Sequence, residues 1–121
     1  MIQIKRIYDE PAKEDKTRVL IDRLWPRGIS KEQAALDIWL KDVAPSNELR
    51  TWFGHKPERF AEFSKKYEAE LTDNPNVETL QALARNTECL TLLYGAKDTE
   101  HNQAVVLQKV LEQRLARQTK D

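Results

Sequence analysis

Apolar positions along the chain switch between short runs and helical stripes, and their order predicts strands followed by helices. Residues 2–8 (Ile-Gln-Ile-Lys-Arg-Ile-Tyr) are β-prone, with Ile2 and Ile4 on one face. Polar residues 9–16 contain Pro11 and read as a connection. Residues 17–22 form a second strand, whose three consecutive apolar residues Val19, Leu20 and Ile21 imply burial on both faces. Ser30 followed by Gln33 fits a capping box that opens a short helix through about residue 36. Residues 37–43 stand between a short strand and an extended loop.

Helical signals dominate the middle of the chain. Ser46 can cap a helix that ends near Gly54, with Glu48 near the positive end of its dipole. Pro57 suits the first position of the next helix, where Phe60, Phe63, Tyr67 and Leu71 line one face. Asn74-Pro75 opens a third, with Val77, Leu80, Leu83 and Ala84 as its stripe. Residues 90–94 (Leu-Thr-Leu-Leu-Tyr) are a second buried strand. A terminal helix is expected from near residue 99, with Ala104, Leu107, Leu111 and Leu115 inward and Gln118 to Asp121 fraying. The fold class expected is α/β: a small, mainly parallel sheet with flanking helices in a single compact domain over residues 1–121.

Composition narrows the class. Apolar residues make up 40% and charged residues 33%, which suits a folded, highly charged protein rather than a disordered one. Twenty basic and twenty acidic side chains cancel, and a neutral total argues against bulk binding of DNA or RNA. No apolar stretch approaches the ~20 residues that cross a bilayer, so no membrane partner is expected. The amino terminus lacks a secretory signal, and Cys89 is the only cysteine, so a cytoplasmic location is expected.

Candidate chemistry gathers behind the two buried strands. Asp22-Arg23-Leu24-Trp25-Pro26-Arg27-Gly28 follows the first, and Gly95-Ala96-Lys97-Asp98-Thr99-Glu100-His101-Asn102 follows the second. In open α/β sheets ligands bind at the carboxyl edge. If these strands are parallel neighbours, their ends converge there. Arg6, Arg23, Arg27, Arg50, Lys97 and Asn102 are the anion-binding candidates, because guanidiniums donate paired hydrogen bonds to phosphate or carboxylate. Asp22 and Asp98 are the candidate general bases, and Trp25 and Tyr94 the candidate pocket walls. The competing reading pairs each arginine with a nearby carboxylate in a purely structural network, with Asp98 capping a helix.

Several chemistries are excluded or disfavoured. Three glycines supply neither a Walker loop nor a dinucleotide fingerprint, and no cofactor is indicated. Cys89 precedes its strand and reads as a core residue, not a nucleophile. His55 and His101 lack metal-ligand spacing, and no Ser-His-Asp pattern stands out.

Residues 22–28, then Ala44-Pro45-Ser46-Asn47-Glu48-Leu49-Arg50, then residues 90–98 and 102–107 resemble the YeaO-like branch of the bacterial domain-of-unknown-function family 488. The resemblance covers nearly the whole chain and implies a single cytoplasmic α/β domain, with no established activity. Longer relatives carry a Cys-His-Arg segment after the last strand; here His101-Asn102-Gln103 stands instead, and chemistry needing that cysteine is not implied. The leading expectation is therefore a domain that binds a small anionic ligand at the sheet's carboxyl edge, with an enzyme acting on a nucleotide-like or phosphorylated substrate as its extension. The alternative is a noncatalytic nucleic-acid- or protein-interaction module using the helices from Ser46 to Asn86.

Overall fold

Leu90–Tyr94 is buried at all five positions because it lies between two strands and is covered on both faces. The computed structural model describes residues 1–119, with side chains to Arg117. Its sheet contains β1 (Ile2–Arg6), β2 (Thr17–Leu20), β3 (Ile38–Trp39) and β4 (Leu90–Tyr94). The order is β1-β4-β2-β3 and all pairings are parallel. β1 and β2 are therefore not neighbours. Their short connection holds only a 3-10 turn, Lys13–Asp15, and the chain steps past β4 instead of folding back as a helical crossover.

Alternation along the strands builds two different faces. Ile2, Val19, Ile21, Leu90, Leu92 and Tyr94 belong to the main core. Over this face pack α2 (Asn47–Phe53), α3 (Phe60–Thr72), α4 (Pro75–Arg85) and α5 (Gln103–Thr119), through residues such as Leu49, Phe63, Tyr67, Leu80 and Leu107. Each fully buried aliphatic or aromatic side chain contributes roughly 1.5–3 kcal/mol, so this face dominates the stability. The opposite face carries a smaller cluster of Ile7, Leu20, Ala34 and Leu93, covered by α1 (Lys31–Ala34) and by Trp25, Ile29 and Leu36.

The rest of that second face is polar. Asp15, nearly fully buried, accepts from Gln3 Nε2 at 3.0 Å, from Lys5 Nζ at 3.1 Å and from an Arg18 guanidinium nitrogen. Burial alone would raise the Asp15 carboxyl. The Ala12 N–H, Lys5 and Arg18 outweigh it and hold the group below its ordinary value. Arg18 also donates to the carbonyls of Ala34 (2.8 Å) and Ala35 (3.0 Å), satisfying acceptors left over at the end of α1. Ala35 is left-handed (φ 46), so α1 stops at Ala34, short of the expected residue 36.

Capping residues set the other boundaries. Ser30 and Gln33 exchange backbone hydrogen bonds at 3.0 and 2.9 Å, as the sequence predicts. Ser46 Oγ accepts from Leu49 N, and Gly54 closes α2 in the left-handed region (φ 55). Pro57 opens a 3-10 turn that leads into α3. Residues 37–43 resolve into both readings, a two-residue strand followed by a 3-10 turn at Lys41–Val43. α5 begins at Gln103, four residues later than expected, because Asn102 Oδ1 accepts from Ala104 N and Val105 N while Asp98 folds a turn of its own. Of the tail expected to fray, 118 and 119 close α5, and residues 120–121 lie outside the described residues. No helix among the described residues is long and apolar enough to cross a membrane.

Candidate functional site

The pairing of Leu20 with Leu93 brings the residues after β2 and β4 side by side at the sheet's carboxyl edge. Ile21 N continues the ladder to Leu93 O at 3.0 Å. One residue further, Asp22 turns its carboxylate toward the start of the loop after β4, where Oδ2 accepts from Gly95 N at 2.8 Å. A Cβ at Gly95 would stand 3.1 Å from that oxygen, so the approach needs glycine or a displaced carboxylate. Oδ1 accepts from the side-chain amide of Gln103, the first residue of α5. Trp39 Nε1 donates to the Asp22 carbonyl at 2.7 Å and fixes the backbone.

A cavity of about 220 Å³ opens beside this carboxylate. Its polar wall holds Asp22, Arg23, Arg50, His55 and Gln103; its apolar wall holds Leu24, Ala44, Pro45, Phe53 and Phe63, with Gly95 and Ala96 at the loop. Phe53 and Phe63 stack at a centroid distance of 4.3 Å. Arg23 donates to the carbonyls of Ala44 (3.2 Å) and Pro45 (3.4 Å) and lies 3.8 Å from Asp42. Its Nε is buried with no hydrogen-bond partner among the described residues. Arg50, exposed on α2, reaches only Asn47 Oδ1 at 3.5 Å and enters no ion pair among the described residues. His55 follows the left-handed Gly54 and is itself left-handed (φ 57), which carries the chain from the end of α2 back to the cavity.

Burial pushes the Asp22 carboxyl up to about 6, against the opposing hydrogen bonds of Gly95 and Gln103 and the charges of His55 and Arg50. No cation lies within 4.0 Å of it among the described residues. Chemically, the site offers an acid that exchanges its proton near neutrality and a positive rim. Apart from Asp22 and His55, the lining contains no nucleophilic side chain. Among the described residues, no cluster of three His, Cys, Asp or Glu side chains could hold a metal ion.

The candidates read from the sequence divide. Asp22, Arg23 and Arg50 come together at the cavity. Arg27 is exposed and outside the cavity lining; its carbonyl accepts from Tyr8 Oη at 3.1 Å. Lys97 is likewise exposed and outside the lining. Arg6 donates to Ala96 O at 2.9 Å and stacks on Tyr8, bracing the loop after β4. Asp98 accepts from Glu100 N, His101 N and the His101 ring, and the Glu100 N–H above all holds its carboxyl low. Asn102 is buried and caps α5.

Trp25 lies on the second face, edge-on to Trp39 at 5.4 Å, and Tyr94 is buried in the main core. Neither lines the cavity, because side chains alternate across the strands and their extensions. His55, Gln103 and the Phe53–Phe63 wall were not among the sequence candidates. The local signals for the first two were present: a glycine ending the Arg50 helix just before His55, and a terminal helix starting at the same sheet edge.

Comparison with known proteins agrees with this architecture's assignment to one unit. The family described as "Inactive DUF488-N3 subclade" matches residues 1–121. The chain is 45% identical over 106 residues to "Uncharacterized protein YeaO" of Escherichia coli (strain K12), spanning 88% of this chain and 92% of the relative. It is 39% identical over 110 residues to "Uncharacterized protein Rv3073c" of Mycobacterium tuberculosis (strain ATCC 25618 / H37Rv), spanning 91% and 92%. No solved structure matches the chain. From the match along its whole length and these relatives, the chain belongs to the DUF488 family, in its YeaO-like branch.

Proposed function

We propose that the chain is a noncatalytic binding domain for a small anionic ligand, with the cavity beside Asp22 as its site. The observation that carries this reading is one chamber of about 220 Å³ lined by two guanidiniums and an imidazole against a single carboxylate. Arg50 is the principal anchor, because it is exposed and has no carboxylate partner among the described residues. Arg23, already shared between two carbonyls and Asp42, shapes the wall and adds field. A guanidinium free to donate two parallel hydrogen bonds suits a carboxylate or a phosphate equally well.

Binding is preferred to catalysis for two reasons. The subclade is described as inactive, and the lining lacks a hydroxyl, thiol or amine nucleophile. Size limits the ligand as well. Pockets for drug-sized molecules run to roughly 300–1,000 Å³, and this one is smaller, which favours a compact metabolite over a nucleotide.

The test is thermal stabilisation of the wild-type protein and of Arg50→Gln by inorganic phosphate and a series of short carboxylates. Stabilisation of the wild type that weakens by about tenfold in the variant supports the reading, since a charge-assisted hydrogen bond is worth roughly 1.5–3 kcal/mol. An unchanged response in Arg50→Gln, or none in the wild type, overturns it. An oligonucleotide arm tests the interaction-module alternative by its salt dependence.

A further inference from the structure

Asp15 and Asp22 are both carboxylates drawn into the protein, and their surroundings treat them differently. Asp15 is met by two cations, Lys5 and Arg18, together with Gln3 and a backbone N–H. Asp22 is met only by neutral donors, Gly95 N and the Gln103 amide. The guanidiniums that share its cavity bond elsewhere, Arg23 to Ala44 and Pro45, Arg50 to Asn47. A carboxylate offers about four acceptor sites, and two of those at Asp22 are taken. A carboxylate removed from water without a cation is costly to ionise. Its natural complement is a positively charged donor brought by a ligand.

The remaining walls state the rest of the requirement. Arg50 calls for a negative group, and the stacked Phe53 and Phe63 with Pro45 call for hydrocarbon. A dianion such as a phosphate monoester meets repulsion from Asp22, whereas a single carboxylate carried on the same small molecule as an ammonium does not. Resting on the anion-binding reading of Arg50, we infer that the cavity receives a small zwitterion with an apolar body, of the class of a free α-amino acid with an aliphatic or aromatic side chain. Its ammonium donates to Asp22, its carboxylate accepts from Arg50, and its side chain lies against the Phe53–Phe63 wall.

Calorimetric titration with matched probes tests this. L-leucine and L-phenylalanine carry both charges; isocaproate and hydrocinnamate lack the ammonium; isoamylamine and phenethylamine lack the carboxylate. The zwitterions are expected to bind at least about tenfold more tightly than either truncated set. Asp22→Asn, which keeps an acceptor for Gly95 N–H, should erase the advantage over the carboxylates while leaving carboxylate binding in place.

Carboxylates or amines that bind as well as the zwitterions overturn the inference, as does a zwitterion preference that survives Asp22→Asn. If the carboxylates or inorganic phosphate still bind in those cases, the anion-binding reading stands without it. Failure of every amino acid and acid probe overturns the inference, and loss of the phosphate response as well overturns both. Should Asp22→Asn fail to fold, the ranking of the three probe sets on the wild-type protein decides alone.

Discussion

Gly95 N–H donates to Asp22 Oδ2 at 2.8 Å, and this one contact joins the loops that leave the two central strands, 73 residues apart in sequence. It follows from register: with Leu20 opposite Leu93, the residues two beyond each strand partner face one another. The contact fixes one oxygen of the carboxylate and Gln103 fixes the other, so Asp22 is oriented before any ligand arrives. The same two bonds draw it out of water, which is why its protonation is shifted upward.

Gly95→Ala should disturb this arrangement specifically. The new Cβ meets Asp22 Oδ2 at 3.1 Å, and the carboxylate, held also by Gln103, has to yield by a few tenths of an ångström. A loss of about 1 kcal/mol is expected in urea denaturation, at the low end for overpacking. The Asp22 titration should move further upward as the Gly95 hydrogen bond weakens. An unchanged denaturation midpoint together with an unchanged carboxyl titration by NMR would show that the carboxylate is not held as described.

Asp22 should make the protein less stable as the solution becomes less acidic. Its folded value of about 6 lies above the ordinary 3.8, so between these values the folded state holds more proton than the unfolded chain. This contribution is full below pH 3.8 and is lost as pH rises through 6, by at most about 3 kcal/mol. Asp15 acts in the opposite sense: its stabilisation is present above pH 3.8 and is lost as pH falls through its depressed folded value. The difference between wild type and Asp22→Asn isolates the first effect. Asn is expected to be the more stable form above pH 6, with Gln103 turning its amide oxygen toward the new donor. A wild-type-minus-variant difference that stays constant from pH 4 to 8 refutes the assignment.

The Asp15–Arg18 pair should behave as a buried pair. Arg18→Met leaves Asp15 with Lys5 alone and strips the donors from the Ala34 and Ala35 carbonyls. Breaking a buried pair by removing one partner costs roughly 3–5 kcal/mol, whereas Arg27→Ala at the exposed loop should cost no more than about 0.5 kcal/mol. Urea denaturation of the two variants compares them directly. Equal, small effects would mean that the polar second face contributes little to holding α1.

The central strands and their edge were legible because their signals are local. Val19-Leu20-Ile21 and Leu90–Tyr94 are apolar at consecutive positions, which only a strand covered on both faces requires. Asp22 and Arg23 follow immediately and could only fall at the edge. Arg27 stands four residues later, beyond Pro26, where the chain has already turned toward α1 and the second face, so closeness in sequence misled. His55 and Gln103 come from helices whose approach to the edge is set by core packing, which no local pattern encodes. Asp15 and Arg18 sit in and beside a polar connection, and polarity there reads as solvent exposure until the β4 threonine and the α1 carbonyls are seen to enclose them.

The late start of α5 separates two roles that Asn102 could have played. Asp98 and Asn102 each carry an acceptor suited to ending a loop, and sequence does not choose between them. In the fold Asp98 closes a turn onto Glu100 and His101, and Asn102 caps the helix while its amide donates to Asp98 O at 2.8 Å. Asn102→Ala therefore removes the cap and a buried donor together. A destabilisation of about 1–2 kcal/mol is expected, with probe affinity falling only as far as the displacement of Gln103 loosens Asp22. Lys97→Ala, on the exposed part of the same loop, should leave both stability and affinity unchanged. Calorimetric titration and urea denaturation of the two variants decide the matter: an Asn102 variant of full stability that no longer binds would make the residue a ligand contact and not a cap.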